Sequence, residues 1–141
     1  MFCIKESESE EFRMDFYFSK SVELSFEEAI LRVTDELKKE GFGILTEIDV
    51  QATLKKKLDV DFRKYRILGA CNPPFAYQAL KAEPQIGLML PCNVVVQEGE
   101  NGQIIVSAID PVASMQAVEN DSLSEVAEQV KTKLQKVIES I

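Results

Sequence analysis

The chain contains no histidine, and that absence removes more chemistry than any residue present supplies. A serine-histidine-aspartate triad, a cysteine-histidine dyad, a zinc site with histidine ligands and histidine-ligated haem all need an imidazole, so one copy of this chain assembles none of them. Glycine is scarce, at six in 141 residues. Gly41 and Gly43 lack a third glycine at the required offset and precede a strand, which rules out a P-loop and a dinucleotide fingerprint there. Cysteine occurs only as Cys3, Cys71 and Cys92. The odd count and scattered spacing argue against a set of structural bridges and suit reduced thiols in a cytoplasmic chain. Long apolar runs are missing too: Ile86 to Val96 is interrupted by Gly87, Pro91 and Asn93, well short of the roughly 20 residues that span a bilayer. Glu6, Glu8, Glu10 and Glu11 stand where a signal peptide needs a basic start and an apolar run. The expectation is a cytoplasmic protein with no membrane partner.

What is present is acid and apolar bulk. Acidic residues number 24 against 16 basic ones, a formal charge of −8 that repels phosphate backbones and argues against nucleic acid as a partner. Hydrophobic residues make up 45% of 141, enough for one domain that buries about two-thirds of the surface its unfolded chain exposes. That domain is expected over residues 14–141. The acidic stretch over residues 1–13 reads as a flexible extension, since charge repulsion is joined to little apolar surface, and Cys3 within it reads as incidental. Glu27, Glu28, Glu36 and Glu40 follow helix-surface spacing, so paired carboxylates of a glycosidase are not assigned.

Asp15 to Lys20, with Phe16, Tyr17 and Phe18, suits a strand. Ser25 and Glu28 carry the signature of a capping box, and Phe26, Ile30, Val33 and Leu37 then share one face of a helix stopped by Gly41. Phe42 to Val50 reads as a strand and Ala52 to Leu58 as a short helix. Lys55, Lys56 and Lys57 fall in its last turn, where cations complement the helix dipole, so they read as a solvated helix end rather than an anion site. Tyr65, Ile67 and Leu68 mark another strand. Pro73 to Ala82 is expected helical, because proline suits a first turn and Asn72 is held extended where its side chain can cap. Asp110 and Pro111 repeat the device before Val112 to Glu119. Ile86 to Gln97 and Gln103 to Ile109 read as two strands joined through Glu98, Gly99, Glu100, Asn101 and Gly102. Ser122 and Glu125 form a second capping box, opening a helix with Leu123, Val126, Val130, Leu134, Val137 and Ile141 along one stripe. That stripe packs on a core or lines a ligand cavity. The order of elements predicts an α+β fold, mainly an antiparallel sheet with the two longer helices on one face.

Chemistry concentrates at two junctions, Gly69-Ala70-Cys71-Asn72-Pro73-Pro74 and Leu90-Pro91-Cys92-Asn93-Val94. Each joins an apolar strand-like stretch to a stiff proline, so two thiols and two side-chain amides can converge. Cys71 precedes a predicted helix start, where free amides and partial positive charge favour thiol chemistry. The structural reading stands beside it: free cysteine packs as a small hydrophobe, Asn72 serves as a cap and Asn93 as a turn or bulge residue. Met89 and Met115 fill core, soften a cavity or serve as thioether ligands, core filling being the commoner role.

The segments ILGACNPPFAYQAL and EPQIGLMLPCNVVV, followed by Asp110-Pro111 and the closing amphipathic helix, closely resemble the bacterial and archaeal domain of unknown function family 302 (DUF302). The resemblance runs from about Met14 to the C-terminus and leaves the acidic extension outside it. It implies a TATA-box-binding-protein-like arrangement of strand, helix, four strands and helix, with short inserted helices, and a tendency to dimerise. It marks Gly69, Cys71, Asn72, Pro73, Pro91, Cys92, Asn93, Asp110 and Pro111 as motif positions and attaches no catalytic role to them.

Three functional readings follow. The first is a non-catalytic homodimeric module that binds a small apolar ligand between sheet and helices, with Cys71, Asn72, Met89, Cys92, Asn93, Asp110 and Met115 as its candidate lining and with no metal or cofactor. The second is a thiol-dependent enzyme or redox protein using Cys71, with Cys92 as the resolving partner. The third is a structural or regulatory domain that acts by docking alone.

Overall fold

Ser25 opens the first helix, α1 (Phe26–Lys39), as its spacing to Glu28 predicts. The Glu28 amide donates to Ser25 Oγ at 3.1 Å and the Ser25 amide donates to Glu28 Oε1 at 3.1 Å. The Ser25 amide first, and then the Ser25 hydroxyl, hold the Glu28 carboxyl below its usual range. Phe26, Ala29, Val33 and Leu37 form its buried face, with Ile30 partly buried beside them. The helix ends in a Schellman turn: Gly41, at φ 88°, donates to Lys38 O at 3.0 Å and Phe42 donates to Leu37 O at 2.9 Å. Only glycine takes that φ without strain.

The computed structural model describes residues 15–141, so the acidic extension over residues 1–13, and Cys3 with it, lies outside the described residues. Five strands form one sheet: β1 (Tyr17–Val22), β2 (Gly43–Asp49), β3 (Tyr65–Cys71), β4 (Cys92–Glu98) and β5 (Ile104–Ile109). Their spatial order is β1-β5-β4-β3-β2 and every neighbouring pair is antiparallel. The expected hairpin joins β4 to β5, closed by Gly99 N–H to Gln103 O at 2.7 Å. Shorter helices are α2 (Val50–Leu58), α3 (Pro73–Ala82) and α4 (Pro111–Ser114), and the chain closes with α5 (Asp121–Glu139). The order strand, helix, four strands, helix, with short inserts, matches the arrangement that the family resemblance implies.

The core lies between one sheet face and the two long helices. Leu68 and Ala70 of β3, Val94 and Val96 of β4 and Val106 and Ala108 of β5 point into it and are buried. Their alternation with partly exposed neighbours is the period of a half-covered sheet. From above come Val33 and Leu37 of α1 and Val130, Leu134 and Val137 of α5, each 7% exposed or less. Full burial of such side chains is worth roughly 1.5–3 kcal/mol apiece before chain entropy is set against it. Among the described residues no helix is long and apolar enough to cross a membrane.

Several boundaries differ from the sequence reading, each for a tertiary reason. β1 runs on to Val22 rather than stopping at Lys20, because Val22 pairs with Ile104 of β5. The stretch expected as one strand from Ile86 splits into a 3₁₀ helix (Pro84–Met89) and β4, which starts only at Cys92. Pro84 suits a helix start, and Glu83 caps it by accepting from the Gln85 amide at 2.8 Å. The helix expected over Val112 to Glu119 stops after one turn at Ser114, where Met115 folds inward to 9% exposure. Asn120, not Ser122, caps α5: it accepts from the Leu123 amide at 3.2 Å and donates from Nδ2 to Ala82 O at 3.0 Å. One amide therefore satisfies an orphan donor of α5 and an orphan carbonyl of α3, which a serine hydroxyl two residues later does not reach.

Candidate functional site

The C-terminal end of β3 and the start of β4 lie side by side, Ala70 paired with Cys92, which brings the two Cys-Asn junctions together. Above them α3 crosses toward α5, and between sheet end and helices lies a cavity of about 270 Å³. Cys71, Asn72 and Cys92 line it from the strands, Phe75 and Ala79 from α3, Val126 and Val130 from α5, and Met115 from the turn after α4. Among the described residues, no charged side chain lines it. Leu45 and Leu80, also in its wall, are 67% and 42% exposed, so the cavity opens to the surface.

Gly69 keeps this end of the sheet tight. A Cβ there would run into Thr46 Oγ1 and lie 2.7 Å from Pro91 Cγ. Glycine therefore permits β2, β3 and the Pro91 corner to close up beside the cavity. The register shift between Ile44 and Thr46 puts an irregularity in β2 at the same level. Leu45 sits in that irregularity and projects to the rim.

Asn72 does not cap α3, contrary to its sequence reading. Pro73 and Pro74 occupy the first turn and have no N–H to offer, so little is there to cap. Its Nδ2 instead donates to Glu40 O at 3.1 Å, satisfying the carbonyl left free at the end of α1. Asn93 is neither turn nor bulge: it pairs regularly with Gly69 and is exposed. Cys71 is partly exposed and Cys92 is buried, both free thiols. Burial pushes the Cys92 thiol up to about 11, with the neighbouring Cys71 adding to the shift. At neutral pH Cys92 is therefore a protonated, apolar wall element.

The seven candidate residues divide by place. Cys71, Asn72, Cys92 and Met115 share the cavity. Met89 and Asn93 line a second, adjoining space of about 240 Å³ that also touches Cys92 and Met115. Asp110 lines neither; its Oδ1 accepts from the Val112 amide at 3.0 Å, and its Oδ2 lies 3.5 Å from Lys131 Nζ, so it ties α4 to α5. Lys55 to Lys57 occupy the last turn of α2, where Lys55 pairs with Asp59 at 3.1 Å. Among the described residues, no group of three or more histidine, cysteine, aspartate or glutamate side chains is placed to hold a metal ion. Phe42, Phe75 and Leu90 were not singled out from the sequence although they build the walls. The signal was available for α3, where Phe75, Ala76, Ala79 and Leu80 repeat at helical spacing.

No curated protein matches the chain. Among solved structures, the crystal structure of an uncharacterized conserved DUF302 protein from Bacillus stearothermophilus is similar to it, with a TM-score of 0.82 and 30% sequence identity over 88% of this chain and 96% of that one. A family model described as Domain of unknown function DUF302 matches residues 18–141, the whole sheet but the first residue of β1 together with every helix around the cavity, and the chain therefore belongs to the DUF302 family.

Proposed function

We propose that this protein is a non-catalytic, dimeric binding module that holds a small, largely apolar ligand in the cavity between the sheet end, α3 and α5. The observation that carries the reading is the cavity itself: about 270 Å³, lined by carbon, sulfur and one amide, and open to the surface. Ligand sites are mostly apolar concavities with few convergent polar groups, and this one shares that character at a volume just under their usual range of about 300–1,000 Å³. Mass spectrometry of the native protein tests it, by looking for a molecule carried through purification. In an Ala76→Phe variant, whose added ring fills the cavity, that molecule should be lost while the fold is kept; retention of it there would overturn the reading.

Dimerisation is supported by the sheet face turned away from α1 and α5. Val95 and Gln97 of β4 and Ile105, Ser107 and Ile109 of β5 form a shallow groove there with Tyr17 and Tyr65, and among the described residues no charged side chain lines it. In a chain of formal charge −8, such a face lets two copies meet without opposing like charges. The excess of acid speaks against nucleic acid and membrane surfaces as partners. A reducing, cytoplasmic setting suits two free thiols in one cavity.

A second reading, thiol chemistry by Cys71 with Cys92 as partner, is favoured by one observation, that both cysteines line the same cavity. The raised value of Cys92 opposes it, because the thiolate is the reactive form. Rapid alkylation of Cys71 at neutral pH, with a Cys71–Cys92 disulfide recovered after mild oxidation, would favour it over the binding module.

A further inference from the structure

One acceptor in the cavity wall has no partner. Asn72 is 8% exposed, and its amide orientation follows from chemistry. The Glu40 carbonyl only accepts, so the atom 3.1 Å from it is Nδ2 and the other is Oδ1. Oδ1 caps nothing on α3 and accepts nothing among the described residues, yet it is not among their sealed, unsatisfied atoms. The side chain is part of the cavity wall, and its Oδ1 keeps accessible surface without a partner. An amide oxygen in an apolar wall is costly to leave without a donor.

We propose that the ligand of this cavity is an uncharged, mainly apolar molecule, of one to two rings in size, with a hydroxyl or amide N–H that donates to Asn72 Oδ1. The proposal rests on the cavity-binding reading and specifies its ligand class. Size follows from the volume of about 270 Å³, against the roughly 150 Å³ cavity that accommodates benzene. Neutrality follows from the lining among the described residues, which offers a carboxylate no cation and an ammonium no counter-charge. Cys92, held protonated at neutral pH, keeps the wall uncharged.

The test uses para-propylphenol and its methyl ether, two probes with one apolar body of which only the phenol donates. Titration of the protein, followed by NMR, should show the phenol binding roughly tenfold more tightly, the worth of one hydrogen bond in a buried site. The side-chain amide signals of Asn72 should shift with the phenol and hardly with the ether. In Asn72→Leu the preference should fall to none; if that variant does not fold, the Asn72 signals in the unaltered protein decide. Equal affinity for the two probes overturns the donor proposal and leaves the cavity reading in place. Failure of both to bind overturns the cavity reading, and this proposal with it.

Discussion

Gly69 and Cys92 show how single residues set the candidate site. Any side chain at Gly69 meets Thr46 and the Pro91 ring, so Gly69→Ala should cost about 1–3 kcal/mol by overpacking, read as a lower denaturant midpoint at unchanged slope. Thr46→Ala in the same chain should return part of the loss, since it removes the nearest obstruction. Failure of that rescue would show that the strain lies elsewhere. Cys92 gives a pH signature. Its thiol lies at about 11 in the fold against 9.0 unperturbed, so the folded state keeps a proton that the unfolded state has lost between those values. Stability from this group is complete below about pH 9 and falls as pH rises toward 11, at up to about 1.4 kcal/mol per unit. Cys92→Ala should lack that decline in unfolding curves taken across the window. Parallel curves for the two proteins would contradict the burial of the thiol. Both residues were visible as motif positions, but neither the collision at Gly69 nor the environment of Cys92 follows from spacing along the chain.

Elements were legible where local chemistry is self-sufficient. The capping box at Ser25, the stop at Gly41, the Pro73 start and the β4–β5 turn all depend on residues within five of one another, and all stand where the sequence puts them. Elements went astray where a distant partner decides. Asn120 is the clearest case, because its value comes from bonding Ala82 on another helix. Asn120→Ala should therefore destabilise by about 1–2 kcal/mol, more than Asn120→Asp, which keeps the acceptor for Leu123 and loses only the donor. Thermal unfolding of the two variants checks the order, and Asp no better than Ala would mean that the bond to Ala82 carries the whole effect. Met115 is similar: the sequence allows α4 to continue, and the cavity wall takes the residue instead.

At the scale of the molecule, the helices cover one sheet face and leave the groove over β4 and β5 without a charged side chain among the described residues. Light scattering at micromolar concentration should give about twice the 15.9 kDa chain mass, and Val95→Glu, which places a charge in the centre of that groove, should halve it. A monomer in the unaltered protein would remove the dimer from the proposed function. A Val95→Glu dimer would move the interface to another surface, the outer strands β1 and β2 being next to examine.

By itself the sequence determined the class of fold, the antiparallel hairpin, the two amphipathic helices and the chemistry this chain lacks. Periodicity, caps and composition act through neighbours along the chain or through counts, and need no knowledge of what lies across the fold. Only the tertiary structure decided that Cys71, Asn72, Cys92 and Met115 share one cavity, that Met89 and Asn93 stand beside it and that Asp110 serves a helix junction. Side-chain convergence depends on strand register and helix crossing, which place residues some twenty to fifty positions apart within one wall. The Asn72 amide makes the same point at the smallest scale, since its role changes from cap to tether once the carbonyl of Glu40 lies within reach.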